Sequence, residues 1–298
     1  MRRVAFRKRL IMILKRKERV IINFLIIIYV NIMEKDYMEN DLIDIIPYGI
    51  NDSEIGLEVK CINMEKSFLE KGIEGCWIEN YTRSLRYFLS KEIMCLTKKD
   101  IVLDIGGGDD GFAYVIEKDV RKVYVNDINI HRCYGSRCGV IESNIFDLNI
   151  GKLNVNKIFL GHSFEHFKKN GDIELIKKIG KELPRGGMCC IEPIFIGGEY
   201  LEIFSEDTKE SSYDKKAKQI VTKISHFPGK KSENMGFARI YSAKSFEERV
   251  YNIAKEMGLK INIYSFKSQD EYLPDMKRYK FKRKNINYPY RMLVFEKS

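Results

Sequence analysis

One run, Val102 to Phe112 (Val-Leu-Asp-Ile-Gly-Gly-Gly-Asp-Asp-Gly-Phe), constrains this chain more than any other. Apolar residues around a single aspartate read as a buried parallel strand, and the glycines after it let the backbone turn sharply beneath a ligand. Gly106, Gly108 and Gly111 have the spacing of a dinucleotide-binding loop. Asp127 follows Gly106 by 21 residues, at the end of the next predicted strand, where an acid takes ribose hydroxyls. On spacing alone the ligand would be NAD. The charge argues otherwise. Asp104, Asp109 and Asp110 set carboxylates around a helix start, where a pyrophosphate needs bare amide donors and no competing anion. A cationic ligand suits the loop better.

Four further motifs follow at strand-to-helix spacing. They are Val123-Tyr124-Val125-Asn126-Asp127, Ile141-Glu142-Ser143-Asn144-Ile145-Phe146-Asp147-Leu148, Lys157 to Phe167 with Glu165-His166 inside it, and Leu183-Pro184-Arg185-Gly186-Gly187-Met188. Each alone is weak, but together and in order they resemble the class I S-adenosylmethionine-dependent methyltransferases over residues 98–298. The resemblance implies S-adenosyl-L-methionine as cofactor, which carries an ammonium and a sulfonium in place of phosphates. It further implies cofactor contacts from Asp104, Gly106, Gly107, Gly108, Asp127, Ile128, Asn144, Ile145 and His162. Asn144 stands where many of that family have Asp.

The implied fold is an α/β, Rossmann-like three-layer sandwich with a seven-stranded, mostly parallel sheet, its last strand antiparallel, plus an N-terminal helical extension. Alternating strands and helices from Lys98 onward require parallel strands with right-handed crossovers. Strands are predicted near 101–105, 122–126, 138–142, 157–161, 188–192, 259–266 and 290–296, with a late helix at about 243–257. Residues 34–97 read as a helical cap region, in which Trp77 to Met94 has helical spacing. Trp77, Tyr81, Leu85, Phe88 and Leu89 fall towards one face, as core or as a cover over the cofactor site. An insertion at about 197–238 reads as a lid over the strands' C-terminal edge or as a surface excursion. Near its end, Gly236-Phe237-Ala238-Arg239-Ile240-Tyr241-Ser242 resembles an Arg-x-Tyr/Phe-Ser turn before the late helix in a methyltransferase subgroup whose members often accompany bacterial surface-polysaccharide enzymes.

The net charge of +10 would suit a nucleic-acid binder, so its distribution matters. Residues 1–19 carry nine Arg/Lys against one Glu, and residues 275–298 carry eight against two, which leaves residues 20–274 mildly acidic. Lys277, Arg278, Lys280, Lys282, Arg283 and Lys284 read as a solvated loop or a local anion patch. Seven cysteines form no Cys-x-x-Cys pair, so no metal centre is expected and a reducing cytoplasm fits. Val20 to Met33 is a stretch of 14 uncharged residues, short of the roughly 20 that a spanning helix needs. Behind its basic flank, residues 1–33 suit a peripheral contact with anionic lipid at the inner membrane face, a packed helix, or a non-native extension.

Methyl transfer from a sulfonium is an in-line displacement, so positioning dominates, with a base needed when the acceptor is a hydroxyl. His162, opening the loop after the fourth strand, is the first candidate for that base; His166 is the second and His226 the outsider. No Asn/Asp-Pro-Pro-Tyr/Phe motif follows that strand, and no cysteine nucleophile stands there, which counts against nucleic-acid base chemistry. The leading reading is an O- or N-methyltransferase acting on a small molecule or a glycan sugar. A catalytically silent binding module and an RNA methyltransferase using the basic termini are the alternatives, and the oligomeric state is left open.

Overall fold

The structure is a computed structural model that describes residues 50–64, 81–108, 111–130, 138–205, 214–222, 237–268 and 291–298. All belong to one compact unit, Ile45–Ser298. The segment 1–33, Trp77, Asp109, Asp110, His226 and the run Lys277 to Lys284 lie outside the described residues, as do the side chains of Tyr81 and Leu85.

In chain order the elements are β1 (Val59–Met64), α1 (Tyr81–Ile93), β2 (Ile101–Ile105), α2 (Phe112–Ile116), β3 (Lys122–Asp127), β4 (Cys138–Glu142), β5 (Lys157–Gly161), α3 (Gly171–Glu182) and β6 (Met188–Glu192). The short strands β7 (Ile196–Gly197), β8 (Leu201–Ser205), β9 (Lys218–Thr222) and β10 (Phe237–Ser242) come next. A late helix α4, continuous through Ala243–Phe246, Glu247–Tyr251 and Asn252–Glu256, leads to β11 (Leu259–Ser268) and β12 (Arg291–Lys297).

The main sheet runs β1-β11-β12-β6-β5-β2-β3-β4. Strands β2 to β6 pair in parallel, and β12 is antiparallel to both its neighbours. The sheet therefore has eight strands rather than the expected seven. The extra one is β1, which adds in parallel to β11 at the edge. An edge strand needs little apolar sequence: Lys60 and Cys61 are exposed, and no hydrophobic run announces the element. At the centre all five residues of β5 are buried, as parallel strands covered on both faces must be.

Apolar layers cover both faces. On one, Tyr87 and Leu89 of α1 and Phe112 of α2 pack on Val102, Phe159 and Cys190. Phe112 and Phe159 stack with ring centres 3.7 Å apart, and Tyr87 meets Phe159 edge-on at 6.1 Å. So Tyr87 and Leu89 are core. On the other face, α3 and α4 pack on Leu103, Ile158 and Ile191.

The insertion folds into a second sheet, ordered β7-β10-β8-β9. Arg239, Tyr241 and Ser242 lie in its strand β10 rather than in a turn. Ser242 then caps α4 directly: its hydroxyl accepts from the Ser245 amide at 3.2 Å while the Ser245 hydroxyl accepts from the Ser242 amide at 2.9 Å.

Candidate active site

Strand β2 lies between β3 and β5, so the chain's direction of travel across the sheet reverses there. Ligands of open α/β sheets bind at the carboxyl ends of such strands. Asp104, Gly106, Gly107 and Gly108 sit at that point, with Asp127 closing β3 beside them.

The loop is built by close approach. Gly106 has φ +73, and a Cβ there would fall 2.5 Å from the Ser163 Cβ. Its amide donates to the Asn126 carbonyl (2.8 Å), while the Ser163 hydroxyl donates to the Ile105 carbonyl (2.8 Å). A Cβ on Gly107 would stand 2.5 Å from the Asp104 carboxyl, and one on Gly108 would stand 2.7 Å from an Asp127 oxygen. Side chains at all three positions would strike the groups that define the site. Asp127 accepts from the amides of Gly108 (3.1 Å) and Asn129 (3.0 Å), which ties the loop to the end of β3. The buried Asn126 amide group donates to the carbonyls of Ile141 (3.0 Å) and Ser143 (2.9 Å), joining the ends of β3 and β4.

Asp104 is 1% exposed, and neither of its carboxyl oxygens has a hydrogen-bond partner. Burial, reinforced by the charge of Asp127, pushes its pKa up to about 8. Farther along the edge, Ile128 is exposed, Ile145 is buried, and Asn144 is exposed with its side-chain oxygen accepting from the Phe146 amide (3.1 Å).

The second half of the site follows β5. His162 has φ 49, a left-handed conformation that costs a non-glycine residue of order 1 kcal/mol and recurs at functional sites. Its amide donates to the Glu192 carbonyl at 2.7 Å. Its Nδ1 faces Glu165 Oε1 at 3.3 Å, and Nη1 of Arg86, on α1, donates to its Nε2. A carboxylate only accepts and a guanidinium only donates, so His162 is neutral with its proton on Nδ1 and its lone pair spent on Arg86. His166 sits differently. Its Nδ1 donates to the Phe237 carbonyl of β10 at 2.6 Å, and its Nε2 lies 3.9 Å from Glu165 Oε1 with the side chain 33% exposed. Burial pushes the Glu165 carboxyl up, but the hydrogen bond from His162 leads the contributions that hold it below its usual range. Its Oε2 is buried and has no hydrogen-bond partner.

The structure thus gathers Asp104, Gly106, Gly107, Gly108 and Asp127 at the adjacent ends of β2 and β3, and His162, Glu165 and His166 after β5, the neighbour of β2 on its other side. Arg86, Ser163 and the Phe237 carbonyl were not anticipated. Nothing in the sequence marks a backbone carbonyl or a lone arginine on a helix, although Ser163 lies inside the fourth-strand motif.

No protein-family model matches the chain, and no curated protein matches it. Among solved structures it is similar to a SAM-dependent methyltransferase from Archaeoglobus fulgidus, at 16% identity over 78% of this chain and 100% of that one, with a TM-score of 0.43. It is also similar to geranyl diphosphate C-methyltransferase from Streptomyces coelicolor A3(2), at 10% identity over 85% and 91%, with a TM-score of 0.46. A third likeness is to a SAM-dependent methyltransferase from Listeria monocytogenes, at 16% identity over 71% and 98%, with a TM-score of 0.41.

Proposed function

We propose that this chain is a class I S-adenosylmethionine-dependent methyltransferase that moves a methyl group to an oxygen or nitrogen of a small molecule or a sugar of a bacterial surface glycan. One observation carries the reading: a fully buried carboxyl, Asp104, lies without a partner directly beneath a glycine loop, beside the Asp127 carboxylate. Once Asp104 ionises, this carboxyl pair repels a pyrophosphate and complements a cation. Asp104, Gly106, Gly107, Gly108 and Asp127 would hold the cofactor, with Ile128, Asn144 and Ile145 along the adenine side. When bound, S-adenosylmethionine supplies an electrophilic methyl carbon on a sulfonium leaving group.

What this chain adds is position and a proton acceptor. With the His162 lone pair engaged by Arg86, we place His166 Nε2 as the base for a hydroxyl acceptor. The proton arriving there is compensated by the Glu165 carboxylate 3.9 Å away. His162 then orders the loop and walls the pocket. The Arg86 contact also gives weight to a second reading, a methyltransferase-like module that binds the cofactor without turnover. We place the protein in the cytoplasm, with residues 1–33 as a peripheral contact to anionic lipid. Among the described residues no helix is long and apolar enough to cross a membrane.

Calorimetric titration of the full chain with S-adenosylmethionine, S-adenosylhomocysteine and NADH tests the cofactor. Micromolar binding of the first two, about −8 kcal/mol, with far weaker NADH binding, is expected. Tight NADH binding with none for S-adenosylmethionine would overturn the reading in favour of a dehydrogenase. Incubation with methyl-labelled cofactor and extracts fractionated into glycan, lipid, RNA and protein then separates an enzyme from a silent module.

A further inference from the structure

The second sheet grips the turn that carries Glu165 and His166 at two points on one strand. At the head of β10 the Phe237 carbonyl takes the Nδ1 proton of His166 at 2.6 Å. Two residues on, the Arg239 guanidinium donates to the carbonyls of Phe167 (2.9 Å) and Lys169 (2.7 Å), the backbone that follows His166. Arg239 is itself fixed. Its side chain is wholly buried between Asp172 (3.0 Å) and Glu202 (2.7 Å). Arg249, from the π-helical stretch Glu247–Tyr251 of α4, adds a second donor to the Lys169 carbonyl at 2.7 Å. Lys169 has φ 55, a conformation lysine seldom holds unaided, and two guanidinium groups pull its carbonyl into place.

We infer that Arg239 is a positioning residue for His166: by clamping β10 to the Phe167–Lys169 backbone, it holds the Phe237 carbonyl against Nδ1 and so fixes His166 as the tautomer whose lone pair is on Nε2. The inserted sheet is then part of the catalytic apparatus and acts as a rigid wall. The use of that nitrogen as a base rests on the methyltransferase reading, but the tautomer does not. A ring fixed in this way presents one acceptor nitrogen at one position. A ring released from Phe237 could also adopt the Nε2–H tautomer that free imidazole favours, with no lone pair towards Glu165.

The test uses the full chain labelled with 15N-histidine. It has four histidines, so the His166 ring signals are assigned by their loss in His166→Gln. Long-range 1H–15N correlations of the imidazole, recorded at a pH where the ring is neutral, distinguish the tautomers. The wild type is expected to show only the Nδ1–H pattern, and Arg239→Met to lose that single pattern towards Nε2–H while its amide spectrum stays folded. Arg239→Lys keeps a charge for Glu202 but has one nitrogen for two carbonyls, so it should give a mixture. It is also the variant to read should the Met form not fold. An Nε2–H pattern in the wild type, or a folded Arg239 variant with an unchanged His166 pattern, overturns the proposal. Titrating the same samples with S-adenosylmethionine separates the two readings. A tautomer change without cofactor binding by the wild type keeps the positioning role and removes the methyltransferase reading, whereas cofactor binding with an unchanged tautomer removes only the positioning role.

Discussion

Two aspartates, each within 1% of complete burial, sit near the carboxyl edge of the main sheet and meet opposite fates. Asp172, in the first turn of α3, accepts from Arg239 (3.0 Å), from Arg249 Nε and Nη2 (3.0 and 2.7 Å) and from the Tyr241 hydroxyl (2.8 Å). The network continues through Arg249 to Asp214 at 2.8 Å and through Arg239 to Glu202 at 2.7 Å. Asp104 accepts from nothing. A buried charge with its donors supplied from within is a piece of architecture, and one left without donors waits for a ligand or keeps its proton. On the proposed function the two regions divide the labour: the inserted sheet stays fixed and the glycine loop receives the cofactor.

The largest effect that could break this contrast belongs to Asp172. Asp172→Ala leaves two guanidinium groups buried without their shared carboxylate and should destabilise the fold by about 3–5 kcal/mol in urea unfolding. A loss below about 1 kcal/mol would show the network to be dispensable and the wall to be loose.

Asp104 should respond in the opposite direction. Its folded pKa of about 8 stands above the ordinary aspartate value of 3.8, so the folded state binds a proton that the unfolded chain has released. Its contribution to stability is therefore complete below pH 4 and declines as pH rises to about 8. Asp104→Asn removes that penalty and should stabilise the apo protein at pH 8 by on the order of 2–4 kcal/mol, while weakening S-adenosylmethionine binding. In the wild type, affinity for the cationic cofactor should climb as pH approaches 8 and then level off, because a neutral Asp104 must first ionise. The cofactor's own amine titrates nearby, at about 7.7–8.0, so the difference between wild type and variant is the readout. Identical pH profiles would sever Asp104 from the ligand.

These two aspartates were not equally legible beforehand. Strands β2, β5 and β6 fall on the residues predicted for them, because their short apolar runs, bounded by Gly, Asp or Asn, are buried in the middle of the sheet; the edge strand β4 also falls on its predicted residues, though none of them is buried. Asp104 and Asp127 could be picked out because a nucleoside-binding loop writes its requirements into consecutive residues. Asp172 could not. Its partners come from positions 239, 241 and 249, brought together only by the fold, and Arg239 and Tyr241 lie in a stretch whose sequence resembles a turn. The strand β1 escaped for a different reason, since an edge pairing made by Val59–Met64 needs backbone more than side chains. The His162 and His166 pair is visible as a motif, yet their unequal hydrogen-bond partners, Arg86 and the Phe237 carbonyl, lie outside it.

Asp127 gives the next effect in size and sharpens the receiving half of the contrast. Asp127→Ala should cost about 1.5–3 kcal/mol in cofactor affinity, since a charged acceptor for ribose hydroxyls is lost. The same change frees the amides of Gly108 and Asn129, so the apo protein should also lose some stability. Unchanged affinity in calorimetry would mean that the end of β3 does not read the ribose.

The smallest effect tests how far along the sheet edge the receiving surface extends. Asn144 is exposed and already spends its side-chain oxygen on the Phe146 amide at 3.1 Å, a local turn that an aspartate makes equally well. Asn144→Asp should therefore leave the backbone as it is and change only the acceptor strength offered to an adenine amino group. A charged acceptor replacing a neutral one is worth about 0.5–1 kcal/mol at so open a position, which predicts a two- to fivefold gain in S-adenosylmethionine affinity. NADH carries the same adenine but also two phosphate charges, so the added carboxylate should yield less gain or a loss. Equal improvement for both ligands would put adenine recognition at Asn144 but separate it from the charge logic of the glycine loop. No change for either would end the receiving surface at Asp127.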